Sequence, residues 1–287
     1  MTQHAPVARR DALANGETTS ALPQVSPLTA FTRYLTKTAT IVWLEIRKIR
    51  HDPIDLLTRA VQPALWILIF GEVFTRVRAI PTGGTSYLDF MAPGILAQSV
   101  LFIAIFSGIA TIWERDLGII HKFLASPTPR SALVLGKALS AGVRGLSQAI
   151  IIYVLALLLG VHINWNPLAL LGVFFMVMLG AAAFSTFSLI IACLVRTRDR
   201  FMGIGQVLTM PLFFASNAIY PVAIMPAWLQ VIARANPLSY EVDALRSMML
   251  ANGANNAMGL LIDFVVLLAV TLALVVIGAR LYPRLAQ

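Results

Sequence analysis

"GLSQAIIIYVLALLLGVHINWNPLALLGVFFMVMLGAAAFSTFSLIIACLV", residues 145–195, carries no charged side chain over 51 consecutive positions. A helix needs about 20 mostly apolar residues to cross a bilayer core, so the run is too long for one crossing and suits two. Its centre, "HINWNP" (His162 to Pro167), supplies polar groups, an interfacial tryptophan and a proline. The run therefore divides there into two antiparallel spans.

The rest of the chain agrees with a membrane protein. Of 287 residues, 58% are hydrophobic and 12% charged, with mean hydropathy +0.80; soluble domains carry about 25% charged residues. Charge-free or charge-poor windows place further spans at Ile54 to Phe74, Phe90 to Trp113, Phe201 to roughly Ala218, and Leu260 to Ala279. With the pair in the opening run, the count is six transmembrane helices, and the fold class is all-α. The first span is the weakest, holding Arg59, Pro63 and Glu72. Arg144 and Asp263 lie near span ends, where Arg144 snorkels to the inner surface and Asp263 reaches the outer one.

Lys and Arg in flanking loops set orientation. With both termini inside, the cytoplasmic side collects Arg33, Lys37, Arg47, Lys48, Arg50, Arg115, Lys122, Arg130, Lys137, Arg196, Arg198, Arg200, Arg280 and Arg284. The outer side holds Arg76, Arg78, Arg234 and Arg246. The net charge of +9 thus serves orientation and anionic lipid contact, not nucleic acid.

Residues 1–30, rich in Ala, Thr, Ser and Pro, read as a disordered cytoplasmic tail. Residues 31–52 read as an amphipathic interfacial helix, with Phe31, Tyr34, Leu35, Val42, Ile46 and Ile49 near one face and basic residues around it. The six-span domain occupies 53–287.

Catalytic signatures are missing. "LGKALS" (Leu135 to Ser140) lacks the first glycine and the hydroxyl of a phosphate loop. There is no HExxH motif, the four His are dispersed, and Cys193 is the only cysteine, so neither a metal site nor a disulfide framework is expected. An intramembrane lipid-modifying enzyme would need Asp, His or Ser clustered at one depth. A pore would need several polar residues per span.

Two polar segments remain. "ERDLGIIHKFLASPTPRSALVLGK", residues 114–137, marks a membrane exit with Glu114, Arg115 and Asp116, then an apolar face of Ile119, Ile120, Phe123 and Leu124 closed by Pro127 and Pro129. Such a face suits a partner's groove. "NPLSYEVDALR", residues 236–246, begins with an N-cap asparagine and an N1 proline, so a short helix starts there. On it Asp243 and Arg246 are three apart and able to pair, Glu241 lies near the positive dipole end, and the charges stay paired or wet.

These segments, extended to "YPVAIMPAWLQVIARANPLSYEVDALR" (220–246) and joined by "RDRFMGIGQ" (198–206), resemble the ABC-2 type permease family, especially daunorubicin-resistance-type exporters. The likeness covers nearly everything after the tail. It departs at Ile119-Ile120-His121, where members commonly have Thr-Leu-Glu. The resemblance implies a non-catalytic membrane subunit, in the cell membrane of a bacterial-type cell, that exports a hydrophobic or amphipathic substrate, drug-like or lipid-linked. Related permeases handle lipo-oligosaccharides or polysaccharides by the same mechanism. ATP and Mg would be held by a separate nucleotide-binding ATPase subunit, and this chain would pair with a second copy or a related permease. The resemblance also implies a cytoplasmic coupling helix over about 114–126, with Glu114, Arg115, Asp116, Gly118, Ile120, Phe123 and Leu124 facing the ATPase. It implies outer re-entrant helices between spans five and six, carrying Asn236, Pro237, Glu241, Asp243 and Arg246. The transport path would lie between spans two and five, with Gln98, Ser99, Phe102, Phe106, Met210, Phe213, Phe214 and Asn217 as lining residues.

Overall fold

The uncharged run breaks where its polar centre requires. In the computed structural model, which describes residues 53–77, 80, 86–120, 130–195, 197–251 and 258–286 and isolated residues between 36 and 47, the chain is helical before Leu159 and again from Pro167. Asn166 caps the second helix, its Oδ1 accepting from the Leu168 N–H at 3.0 Å, and Pro167 occupies the first turn. Among the described residues the α-helices are α1 (Pro53–Leu65), α2 (Glu72–Val77), α3 (Tyr87–Asp116), α4 (Arg130–Leu158), α5 (Pro167–Leu194), α6 (Arg198–Phe214), α7 (Ala227–Ala235), α8 (Pro237–Met249) and α9 (Leu260–Leu281). The disordered tail expected over 1–30 lies outside the described residues. So does most of the interfacial helix expected over 31–52, of which Thr36, Thr38, Ala39, Thr40, Val42, Trp43 and Arg47 are helical.

Four of these helices, α3, α4, α5 and α9, are long and apolar enough to cross a membrane among the described residues, and this corrects the expected six. The window from Ile54 to Phe74 is divided into α1, a π-helical stretch Trp66–Gly71 and the six-residue α2. Pro63 removes a backbone donor inside α1, and Glu72 opens α2 with a charge. α6 has 17 residues, begins with Arg198, Asp199 and Arg200, contains Pro211, and stops at Phe214, where the chain turns irregular.

α3 is the central helix. Within its apolar window 72% is buried, against 17% for α9. It is apolar all round because α4, α5, α6 and α8 all pack on it. Close approach replaces the hydrophobic effect as the organising force between such helices. A Cβ on Gly94 would lie 2.2 Å from the Ala218 carbonyl oxygen, so only glycine lets the 215–220 segment lie against α3. The Ser188 hydroxyl of α5 donates to the Ile105 carbonyl and accepts from the Gly108 N–H at 3.2 Å, pinning α5 to α3.

Two more expectations require correction. No re-entrant helix occurs between α6 and α9 among the described residues: α7 has 9 residues, and α8 is a 13-residue helix packed on α3, α5 and α9. No separate coupling helix occurs among the described residues of 114–126 either. Glu114, Arg115 and Asp116 form the last turn of α3 itself, Leu117 and Gly118 turn, and Ile119 and Ile120 resume helix. The buried charges also differ from expectation. Asp263 is fully buried instead of reaching the surface, and Arg144 is half-buried on α4, one position before the charge-free run.

Candidate functional site

A cavity of about 370 Å³ opens between α1, α3, α4 and α6, within the range of about 300–1,000 Å³ typical of small-molecule sites. α3 contributes Gln98, Ser99, Phe102, Ile103 and Phe106, a stripe at helical spacing. α6 adds Gln206, Thr209 and Met210; α4 adds Gln148; α1 adds Gln62 and Pro63. Gln62 and Gln206 are exposed and form the rim, whereas Gln98, Ser99, Gln148 and Thr209 are buried.

The hydrogen-bonding character of the lining is specific. The Ser99 hydroxyl donates to the Ile95 carbonyl at 2.8 Å and the Thr209 hydroxyl to the Gly205 carbonyl. Each hydroxyl proton is thus committed to its own helix, and the oxygen remains able only to accept. The Gln98 Oε1 is buried with no hydrogen-bond partner, a costly state unless something supplies a donor. No ionisable side chain lines the cavity among the described residues.

Of the residues expected along a transport path, Gln98, Ser99, Phe102, Phe106 and Met210 come together here. Phe213 and Phe214 instead pack on Trp66, with ring centroids 5.8 and 6.3 Å away. Asn217 is buried in the irregular segment after α6, where its carbonyl accepts from Arg246. The sequence reading did not select Gln62, Gln148, Gln206 or Thr209. Gln206 was legible in principle, since it precedes Met210 by four positions on α6. Gln62 and Gln148 enter the cavity through helix pairings that sequence spacing does not encode.

The charged end of α3 is tied to its neighbours. Glu114 pairs with Lys137 of α4, whose ammonium also donates to Thr111 at 3.1 Å. Arg115 donates to the Val195 carbonyl after α5 at 3.0 Å. Asp116 accepts from Arg198 of α6 at 2.9 Å, and that guanidinium lies 3.9 Å over Trp113. Three consecutive charges thus link α3 to three other elements. Gly118 has φ +68°, which favours glycine. Ile120 is fully buried in a cluster with Leu133, Val134, Leu189, Tyr282 and Leu285, so it faces inward. Phe123 and Leu124 lie outside the described residues.

α8 holds a second group of charges. Asn236 caps it, accepting from the Leu238 N–H and donating to the Leu212 and Ala215 carbonyls at 2.7 and 3.2 Å. Pro237 follows at the first helical position. The charges on α8 are buried, not wet: Glu241 is 0% exposed, Asp243 1% and Arg246 5%. Arg246 donates to the Phe90 and Asn217 carbonyls and lies 3.8 Å over the Phe90 ring. Burial pulls its guanidinium down to about 10, opposed by the charge of Asp243. Asp243 accepts from the Met258 N–H at 2.9 Å. Glu241 packs against α5, where a Cβ on Gly180 would lie 2.3 Å from its carboxyl carbon. Neither carboxyl oxygen has a hydrogen-bond partner, and burial raises the group well above the ordinary carboxylate range. Burial therefore favours its neutral form over the carboxylate.

Four helices long and apolar enough to cross a membrane, among the described residues, define a multi-pass membrane protein. Residues 36–250 match the ABC-2 type transporter family, and the chain belongs to it, as a non-catalytic permease subunit with an exporter's role. Membership implies a nucleotide-binding partner and a membrane setting. The chain is 29% identical over 201 residues to a putative transport permease ycf38 of Cyanophora paradoxa, covering 69% of each chain. It is 26% identical over 248 residues to the daunorubicin resistance ABC transporter permease protein DrrB1 of Streptomyces coeruleorubidus, covering 86% of this chain and 85% of the relative. It is 30% identical over 200 residues to nodulation protein J of Rhizobium leguminosarum bv. trifolii, covering 69% of this chain and 75% of the relative.

Proposed function

We propose that this permease moves a hydrophobic or amphipathic molecule, drug-like or lipid-linked, out of a bacterial-type cell across its plasma membrane. Both termini are cytoplasmic, and the driving ATP is hydrolysed on a separate chain. The observation that carries the reading is the cavity at mid-length of α3, which combines phenylalanine and methionine surface with a few fixed polar groups. The breadth of the likeness to a daunorubicin resistance permease supports a drug-like cargo.

The transport unit is a pair of permeases, two copies or this chain with a related one, above two ATPase subunits. Glu114, Arg115 and Asp116 transmit the ATPase's movement, because the same turn that leaves the membrane is ion-paired to α4 and α6. Displacing it displaces the helices lining the cavity. Directional movement then requires that the cargo bind the inward-open and outward-open states with different affinity.

Charge reversal at Glu114 and Asp116 tests the coupling. The variant is expected to insert into membranes normally, to lose co-purification with the ATPase, and to lose ATP-dependent uptake of a fluorescent hydrophobic probe into inverted vesicles. Undiminished co-purification and uptake would refute the assignment.

A further inference from the structure

α9 is the least covered of the four long apolar helices, with 17% of its apolar window buried. The 3₁₀ turn that follows it, Tyr282–Ala286, is its opposite: Tyr282 is 0% exposed and Leu285 2%. Pro283 has no N–H with which to continue the α-helical ladder. In the tighter turn residues three apart share a face, so Tyr282 and Leu285 point the same way. They are buried in one cluster with Leu133 and Val134 from the start of α4, Leu189 near the end of α5, and Ile120. Gly278 brings them there. A Cβ on it would lie 3.3 Å from Thr186 of α5 and 3.6 Å from Val134 of α4, so α9 closes on both helices one turn ahead of Tyr282.

Ile120 is the unexpected member of that cluster. It lies two residues after Gly118, whose φ of +68° turns the chain out of α3, and its side chain is fully buried. The last turn of α3 is held by ion pairs to α4 and α6. The chain just beyond the turn is held by apolar burial instead, and two of the buried side chains around it come from the end of α9.

We propose that the turn Tyr282–Ala286 is a seat that sets the direction in which the chain leaves α3 at Gly118, and that Tyr282 and Leu285 are positioning residues for the ATPase contact at that end of the molecule. The seat rests on the coupling role proposed for Glu114, Arg115 and Asp116, and it brings α9 into that role. An apolar seat suits the task, because close-packed side chains transmit a displacement instead of absorbing it. The partly exposed ion pair of Asp116 with Arg198 beside it is weakened by salt. The Tyr282 ring, not its hydroxyl, fills the seat, since that hydroxyl is buried without a hydrogen-bond partner.

Two measurements read the seat and its consequence separately, both on the full chain in nanodiscs with Cys193, its only cysteine, replaced by alanine. A spin label on Leu117→Cys, at a position 67% exposed in the turn, reports local mobility without the ATPase. Affinity for the ATPase that co-purifies with the unaltered chain is then titrated. Tyr282→Ala and Leu285→Ala are expected to raise the label's mobility and to weaken ATPase binding about tenfold. Tyr282→Phe, which keeps the ring, should stay within about twofold of the parent. Leu267→Ala cuts a fully buried side chain from the middle of α9. It should lower Tm yet leave both readouts at parent values, which separates positioning from general loss of stability. Unchanged mobility in the seat variants would overturn the seat. Raised mobility with unchanged binding, or equal losses in Leu267→Ala, would overturn its role at the ATPase contact. Charge reversal at Glu114 and Asp116 is measured alongside: if it weakens binding and the seat variants do not, the seat's role falls and the coupling assignment stands. If the seat variants weaken binding and charge reversal does not, the assignment falls and the seat stands. Leu285→Ala, the smaller truncation, carries the test if Tyr282→Ala does not fold.

Discussion

Arg246→Met is the substitution whose consequence the structure sets most clearly. Methionine keeps an apolar stem of similar reach and removes the guanidinium. That group donates to the Phe90 carbonyl and, at 2.8 Å, to the Asn217 carbonyl, and it lies over the Phe90 ring. A desolvated cation–π contact is worth about 2 kcal/mol, and a hydrogen bond from a charged donor about 1.5–3 kcal/mol. The variant also recovers the cost of burying the cation, so these gains do not simply add. Asp243, 1% exposed, would lose its favourable Coulomb interaction with that guanidinium. Removing one member of a buried charge pair costs about 3–5 kcal/mol. At about 2–4 °C per kcal/mol, Tm of the purified chain in nanodiscs should fall by about 6–20 °C. Adding Asp243→Asn shows how much of that loss comes through the interaction between the two charges, since the carboxylate charge is then gone. A fall below about 2 °C, against the several kcal/mol expected for a buried pair, would refute the account of α8 as the clamp joining α3 to the 215–220 segment.

Glu241 gives a pH-dependent signature. Burial raises its folded-state pKa above the unfolded value of about 4.3, so its protonated form stabilises the fold fully below that unfolded value. The stability is lost as pH rises, until the folded pKa is passed. Wild-type Tm should decline from about pH 5 upward while Glu241→Gln removes that component of the slope; parallel slopes would contradict the reading. Gly94→Ala and Gly205→Ala should separate cleanly. At 94 the new Cβ meets the Ala218 carbonyl oxygen at 2.2 Å, and at 205 its nearest neighbour is an Ile105 methyl at 3.5 Å. Overpacking at the first should cost about 1–3 kcal/mol, and the second should be neutral or gain up to about 1 kcal/mol of helix propensity. Thermal unfolding of both variants checks this, and equal behaviour would show that the close approach at Gly94 does not limit packing.

The apolar spans were legible because bilayer crossing demands length and low charge, and both are properties of contiguous sequence. The turn at His162 to Pro167 and the start of α8 at Asn236 and Pro237 were equally local, each fixed by a capping amide and a proline. The error in span number came from judging apolar windows without their backbone. Pro63, the π-helical stretch Trp66–Gly71 and Glu72 break the first window into pieces, and Pro211 with the turn at Ala215 shortens α6. The charges of α8 are expected from the sequence to be paired or wet, and their burial is not legible there because nothing in "SYEVDALR" reveals that α3, α5 and α9 surround it. The site was half legible for the same reason. One helix's stripe, Gln98, Phe102 and Phe106, follows from spacing of four, but its meeting with Gln148 and Gln62 depends on tertiary packing.

ATP-driven flux in proteoliposomes tests the central claim most directly. With the purified chain alone, ATP should produce no transport of a fluorescent hydrophobic probe. Adding its nucleotide-binding partner subunit should produce transport that stops when that subunit's ATP hydrolysis is blocked. Transport driven by ATP with this chain alone, or none with the ATPase present and hydrolysing, would contradict the account.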